Sequence, residues 1–559
     1  MVERILNLLH REIRGLHEAA YVLGLFAFFS TVLALVRDRL LAHIFGAGAT
    51  LDIYYASFRL PDLVFVSIAS MVSIYVLIPF LTVQGDDVQE RQRRFIGNVF
   101  SAFFASIVIV SALLFAAAPR LLPYLFPGLV DSPLFGDLVL LTRLLLLQPI
   151  FLGISNIFAS ITQVYGRFLL FAVAPLFYNL GIIVGALFWY PQFGILGLGY
   201  GVVLGAILHA SVQLPFIIRG GFLSRMTVRL RFRELRNVIV LSLPRTLALS
   251  VNHVALLVLA GIASVMAEGS ITVFNFSFNL QAAPLSIIGA SYSVAAFPTL
   301  ARLFSSGERG TFIVHMTTAA RHIIFWSVPI VVLFVVLRAQ IVRVVLGSGA
   351  FDWSDTRLTA AALALFAISL AAQGLSLLFV RGYYAAGNTL KPLLVNVFSA
   401  LLIVALAFGL TKLFASSALW RYFVESLLRV EDIPGTAILM LPLGYSLALI
   451  IQAGIFWFLF QRESKEFSKV LSRVTFEVLS ASIVMGFIVH WLLDVLGNLF
   501  DLNSFWGIFA QGFFAGSIGI LCGILLLWVL GSREIREIHT SLRHKFWKTP
   551  TVGVDETEL

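Results

Sequence analysis

The chain has 559 residues, of which 59% are hydrophobic and only 12% charged, and its mean hydropathy is +0.96. Soluble domains run near 45–50% apolar and about 25% charged, so this composition excludes a protein whose main solvent is water. The formal net charge of +10 and the single cysteine, Cys522, leave a membrane protein without a disulfide framework or a cysteine metal site.

At the N-terminus, Val2, Ile5, Leu6, Leu9, Ile13 and Leu16 recur at helical spacing against Arg4, Arg11 and Arg14. That pattern predicts an uncleaved interfacial helix over 1-18. Apolar runs long enough to cross about 30 Å of hydrocarbon then follow. The spacing predicts six over 19-36, 62-82, 96-118, 138-162, 168-189 and 193-218, forming an N-terminal lobe over 19-218. A basic cytoplasmic linker, 219-236, carries Arg219, Arg225, Arg229, Arg231, Arg233 and Arg236. Six more spans, 238-264, 270-300, 312-337, 358-380, 393-411 and 437-460, form a second lobe over 237-460. Two further helices, 474-496 and 504-530, and a cytoplasmic tail over 531-559 complete an all-α integral membrane protein of about fourteen transmembrane helices.

With both termini placed in the cytoplasm, the inside segments hold 27 Lys+Arg and the outside segments 10. This excess is the positive-inside bias, and it accounts for the basic net charge without a nucleic-acid partner. The arginine-rich linker is a short loop between spans with no aromatic stacking platform for bases.

The sequence also repeats. Gly48 to Leu60 and Gly269 to Leu280 share the ending Ser-Phe-x-Leu, and each is followed by proline and leucine two apart, at Pro79 and Leu81 and at Pro298 and Leu300. Pro175 and Asn179 match Pro392 and Asn396 at an offset of 217. Six helices separate equivalent positions, which predicts two lobes of parallel topology with a binding site between them.

Few residues can carry chemistry. Charges at membrane depth cost about 2.5–3.5 kcal/mol on insertion scales and normally face a cavity or a partner. The densest set is Arg37, Asp38, Arg39, Asp52, Arg59 and Asp62. A helix continuing past residue 36 to Phe45 puts Arg37 and Asp38 at membrane depth, where the guanidinium fork suits a phosphate or diphosphate. Local ion pairs in an extracytoplasmic loop are the competing explanation. Arg245, beside Pro244, either faces the same cavity or snorkels to the surface. Arg143 reads as a snorkelling or paired residue. His209, His253 and His490 have no metal-ligand spacing and read as satisfied core histidines. Acidic residues deep in the spans are nearly absent, so no driving ion is named; coupling to an ion gradient or to the membrane potential both fit. No nucleotide-binding loop or hydrolase motif is present, and no cofactor or metal is identified.

Ser30 to Gly48 (STVLALVRDRLLAHIFGAG), followed by Asp52 and Phe58-Arg59-Leu60-Pro61, resembles the opening of the MurJ/MviN lipid II flippases of the MOP exporter superfamily. The resemblance continues through Tyr165 to Phe168 with Pro175 and Asn179, Gly289 to Phe304, and Gly382 to Asn396. It implies a fourteen-helix, two-lobed V-shaped flippase, not an enzyme, in the bacterial inner membrane. Such a flippase moves undecaprenyl-diphosphate-linked peptidoglycan precursor to the outer leaflet by alternating access. The implied partners are that lipid-linked saccharide and membrane lipids, with the chain acting as a monomer, and the last two helices forming a groove for the lipid tail.

Several family positions differ here. Thr31 and Phe65 stand where arginines are usual, Ser70-Met71 where Glu-Gly is usual, and Phe278-Asn279 where Asp-Arg is usual. Arg37 is the cavity arginine carried over, with Asp38 and Asp52 beside it; Asn279 takes an arginine position, and Arg59 and Arg245 are the candidates to compensate. A flippase for another polyprenyl-diphosphate-linked oligosaccharide, such as an O-antigen or exopolysaccharide unit, and a non-transporting membrane scaffold are the alternatives. A glycosyltransferase using the same lipid would need a large acidic loop; the longest outside loop offers Glu425, Glu431 and Asp432.

Overall fold

The structure is a computed structural model that describes residues 16–69, 88–221, 232–463, 467–502 and 504–537. Most of the interfacial helix expected over 1-18, part of the span expected over 62-82, the centre of the basic linker, the Pro79 landmark and most of the tail lie outside the described residues. The helices used below are α1 (Leu16–Phe45), α2 (Ala49–Ala69), α3 (Val88–Leu125), α4 (Phe135–Leu145), α5 (Gln148–Val164) and α6 (Phe168–Val184). They continue with α7 (Ile195–Ser211), α8 (Phe232–Ser264), α9 (Ser270–Leu285), α10 (Ser291–Ser305), α11 (Arg309–Val336) and α12 (Trp353–Ala367). Last come α13 (Leu370–Ala385), α14 (Leu390–Ser416), α15 (Ala418–Leu428), α16 (Met440–Glu463), α17 (Phe467–Gly497) and α18 (Phe505–Val529).

Helices are the expected choice, because hydrocarbon offers no partner for backbone N–H and C=O groups and a helix satisfies them internally. Among the described residues, eleven helices are long and apolar enough to cross a membrane, or up to twelve if the pair α12 and α13, bent by 44° at its break, forms one span. The sequence predicts about fourteen. The expected first span lies within α1, which runs on past residue 36 to Phe45 and so carries Arg37, Asp38 and Arg39 inside the helix.

The chain divides into two compact units. The first comprises residues 1–283, 341–369 and 387–455; the second comprises 284–340, 370–386 and 456–559. The chain passes from one to the other at Ala283–Pro284, where proline withholds a backbone N–H and the helix widens into a π turn over Ser286–Ala290.

In the first unit, α2 packs on α4, α5 and α8, α1 on α6, and α8 on α14. Its core joins Ile53, Leu122, Phe274, Ile403 and Leu439. The contact of α6 with α7 depends on absent side chains: a Cβ on Gly205 would lie 2.4 Å from the Tyr178 carbonyl, and one on Gly201 2.6 Å from the Gly185 Cα. Lipid is as apolar as leucine, so close backbone approach of this kind is what holds membrane helices together. In the second unit, α11 packs on α13 and α17, α10 on α13, and α17 on α18.

Candidate functional site

The candidate site is built along one face of α9, within the first unit. Thr272, Asn275 and Asn279 recur at spacings of three and four, so they line a single stripe of that helix. Each meets a charged residue from α1 or α2.

At the N-terminus of α9, Asp52 is buried and accepts three hydrogen bonds: from the Gly269 N–H at 2.7 Å, the Thr272 N–H at 2.8 Å and the Thr272 hydroxyl at 2.7 Å. The first N–H groups of a helix have no partner within it, and a carboxylate there is favoured by both hydrogen bonding and the helix dipole. Gly269 makes the approach feasible, since its φ is +85° and a Cβ there would lie 2.1 Å from the Ala47 carbonyl. The arrangement is reciprocal: the Ala49 N–H, at the start of α2, donates to Glu268 Oε1 at 3.0 Å. The two segments that the sequence repeat equates therefore cap one another.

Farther along, Arg59 donates from NH2 to Asn275 Oδ1 at 2.7 Å, while the Asn275 amide nitrogen is held by the Ile271 carbonyl at 2.7 Å. Among the described residues this is the only hydrogen bond of Arg59, and its Nε is buried without a partner. Asp62 lies one turn beyond on α2 and accepts a long 3.5 Å bond from Gln148 Nε2.

Deepest on the stripe, Asn279 donates to Asp38 Oδ2 at 3.1 Å. Asp38 Oδ1 accepts from Arg37 Nε at 3.0 Å and NH2 at 2.7 Å. The remaining terminal nitrogen of Arg37 donates to Asn179 Oδ1 at 2.8 Å. The Asn179 amide nitrogen is in turn held by the Pro175 carbonyl at 3.1 Å, which fixes the side chain's orientation.

The structure thus brings Arg37, Asp38 and Asn279 into one network and places Arg59 and Asp52 on the same stripe of α9. Arg245 sits half-buried beside Pro244 in α8. Asn179 and Asn275 are site residues that charge-based reasoning misses. The repeated Pro-x-x-x-Asn spacing at 175 and 179 was the available signal, and its counterpart Asn396 likewise accepts a hydrogen bond, from Gln452 Nε2 at 2.7 Å. Phe278 is no surrogate for an acid. It packs among Phe274, Phe366 and Tyr445, with ring centroids 5.6–6.1 Å apart.

The other singled-out residues have local partners. Arg143 donates from Nε to the Phe115 carbonyl at 3.0 Å, an acceptor left open because Pro119 has no N–H to offer it. His209 shares a 2.6 Å hydrogen bond with Ser155 Oγ, which also accepts from Gln213 Nε2 at 2.7 Å. Among the described residues no group of three or more His, Cys, Asp or Glu could hold a metal ion.

The all-helical architecture, with buried charged and amide groups gathered on α1, α2 and α9, is that of a multi-span membrane protein. It is similar to a solved inward-facing MATE multidrug-resistance transporter of the MOP superfamily, with a TM-score of 0.62 at 14% identity, covering 79% of this chain and 96% of that one. The family profile "Lipid II flippase MurJ" matches residues 41–510, and the chain belongs to that family. Relatives include the probable lipid II flippase MurJ of Haemophilus influenzae, 26% identical over 66% of this chain and 76% of that protein. The probable lipid II flippase MurJ of Thermotoga maritima is 28% identical over 70% of this chain and 77% of its own length. A solved lipid II flippase MurJ in an inward closed conformation has the same fold, with a TM-score of 0.71 at 22% identity, covering 93% of this chain and all of that one.

Proposed function

We propose that this chain is a lipid II flippase of the bacterial inner membrane, moving undecaprenyl-diphosphate-linked peptidoglycan precursor from the inner to the outer leaflet. The observation that carries the reading is family membership across residues 41–510, together with two arginines at one buried stripe, Arg37 bridged to Asp38 and Arg59 hydrogen-bonded, among the described residues, to a neutral amide. Transport is of the secondary type, by alternating access of an N-terminal lobe over 19-218 and a C-terminal lobe over 237-460, in a monomer with both termini cytoplasmic.

Hydrogen-bond accounting divides the work between the two arginines. A guanidinium has five N–H donors. Arg37 spends three on Asp38 and Asn179 and is neutralised by Asp38, so its part is to hold α1, α6 and α9 in register while offering its remaining donors to the substrate. Among the described residues, Arg59 spends one donor on a neutral amide and keeps the rest. Asp62, one turn along α2, acts on Arg59 through space but makes no hydrogen bond to it among the described residues, so guanidinium donors stay open to the oxygens of a substrate diphosphate. Arg59 is therefore assigned the main diphosphate contact, replacing positive charge that Phe65 and Asn279 no longer provide. Arg245 adds a further cation to the substrate path.

The test is rescue of cells depleted of their own lipid II flippase, with exposure of lipid II on the outer leaflet as the readout. Rescue with exposure is expected. A correctly inserted, well-expressed protein that neither rescues growth nor exposes lipid II would overturn the assignment.

A further inference from the structure

The segment after α14 holds a helix whose outward face is unexplained by packing or by transport. In α15, Val424 and Leu428 are buried against the first unit's core together with Val430 and Ile433. The opposite face is apolar and uncovered: Leu419 is 80% exposed, Tyr422 64%, Phe423 54% and Leu427 63%. These positions recur at spacings of one, three and four, and with Ser426 they fill one contiguous side of the helix. Such a face in water is unfavourable, since apolar surface costs about 25 cal/mol per Å² left in contact with solvent.

The helix is firmly set in this orientation. Ser417 caps its start by accepting from the Trp420 N–H at 3.3 Å. Thr436 donates to Glu425 at 2.6 Å, and Arg357 holds Asp432 through two nitrogens at 2.7 and 2.9 Å. Those bonds engage two of the segment's three acids. Arg357 balances Asp432, and Lys412, Arg421 and Arg429 outnumber the two other acids, Glu425 and Glu431, so the rim of the apolar face keeps a small cationic excess.

The geometry points to α15 as an interfacial helix that lies in the membrane surface, its Leu419, Tyr422, Phe423 and Leu427 face among the upper acyl chains and its flanking cations on lipid headgroup phosphates. Two observations select lipid over another occupant. Only Ser417 separates the helix from the end of α14, a helix long and apolar enough to cross a membrane whose Leu401, Phe408 and Leu413 are exposed, so α15 starts where such a span leaves the hydrocarbon. The rim charge complements phosphate, which is the charge pattern of helices that lie in a headgroup layer.

The experiment uses the full chain with Cys522→Ala, reconstituted in vesicles of brominated phosphatidylcholine and phosphatidylglycerol, with a thiol-reactive environment-sensitive dye at Phe423→Cys, Leu427→Cys or Glu431→Cys. Dye at 423 and 427 is expected to be quenched by bromines on the upper acyl chain at least threefold more than dye at 431, and to be shielded from aqueous iodide. Equal quenching at all three positions, or free access of iodide to 423 and 427, would overturn the proposal and leave the face to a protein partner, which purified vesicles lack. Because the labels replace exposed residues, a folding defect does not obscure the result.

Discussion

Asp52 and Arg59 sit two turns apart on α2, yet they engage α9 in different ways. Asp52 is fully committed: three donors converge on its carboxylate, and two are the otherwise orphaned N–H groups at the start of α9. Replacing one carboxylate oxygen with an amide NH2 sets a donor against at least one of those donors and leaves it without an acceptor, at a cost of about 1–3 kcal/mol for a buried unsatisfied group. Asp52→Asn should therefore lower the thermal unfolding temperature of the purified protein. Arg59→Gln should do the reverse: near-normal thermal stability, because only the bond to Asn275 is lost, but at least a tenfold loss of lipid II translocation in vesicles. A destabilised Arg59→Gln protein with intact translocation would remove Arg59 from the substrate path.

Between elements, the joint most open to solution chemistry lies in the second unit. Glu534, past the end of α18, is buried and accepts from Arg321 Nε of α11 at 2.8 Å and from the Ser532 hydroxyl at 2.7 Å; Glu537 accepts from Arg321 NH2 at 3.2 Å. Burial works against the Glu534 charge, but the Ser532 hydroxyl, its own backbone N–H and Arg321 outweigh it and hold the carboxyl below its ordinary value of 4.5. A carboxyl depressed in the folded state adds stability above its unfolded pKa, and that stability is lost as pH falls through the folded value. The unfolding temperature should thus decline as pH is lowered below about 4.5. Glu534→Gln should remove this component of the decline and cost up to about 3–5 kcal/mol at neutral pH, because Arg321 would keep a buried charge with less to balance it. Thermal unfolding in detergent from pH 7 to pH 3.5 measures both effects, and identical curves for the two proteins would show the joint to be dispensable.

At the scale of the whole molecule, the distribution of Lys and Arg governs insertion. The 27 basic residues assigned to inside segments, six of them in the linker over 219-237, bias those segments to the cytoplasm. A C-terminal fluorescent protein that matures only in the cytoplasm should be bright, and one fused within 431–434 should be dark. Replacing the six linker arginines with glutamine should lower the correctly oriented fraction. A dark C-terminal fusion in a full-length, membrane-inserted protein would reverse the orientation.

The all-helical class, most of the spans and the family were legible from hydropathy, periodicity and the Ser30 to Pro61 motif, because hydrocarbon imposes one local solution on the backbone and that solution leaves its period in the sequence. The charged candidates on α1 and α2 were legible too, since charge at membrane depth is rare. Their partners were not. That Asp52 caps α9 while Arg59 keeps unspent donors depends on contacts across more than 200 residues, and that Asn179 and Asn275 orient the arginines depends on neutral amides that no charge pattern marks. The repeat hinted at such pairing, but only tertiary packing decided which carboxylate faces a helix terminus, which faces a guanidinium, and which guanidinium bonds a neutral amide instead. Those outcomes are set by distances of a few ångströms between helices, and composition and period are blind to them.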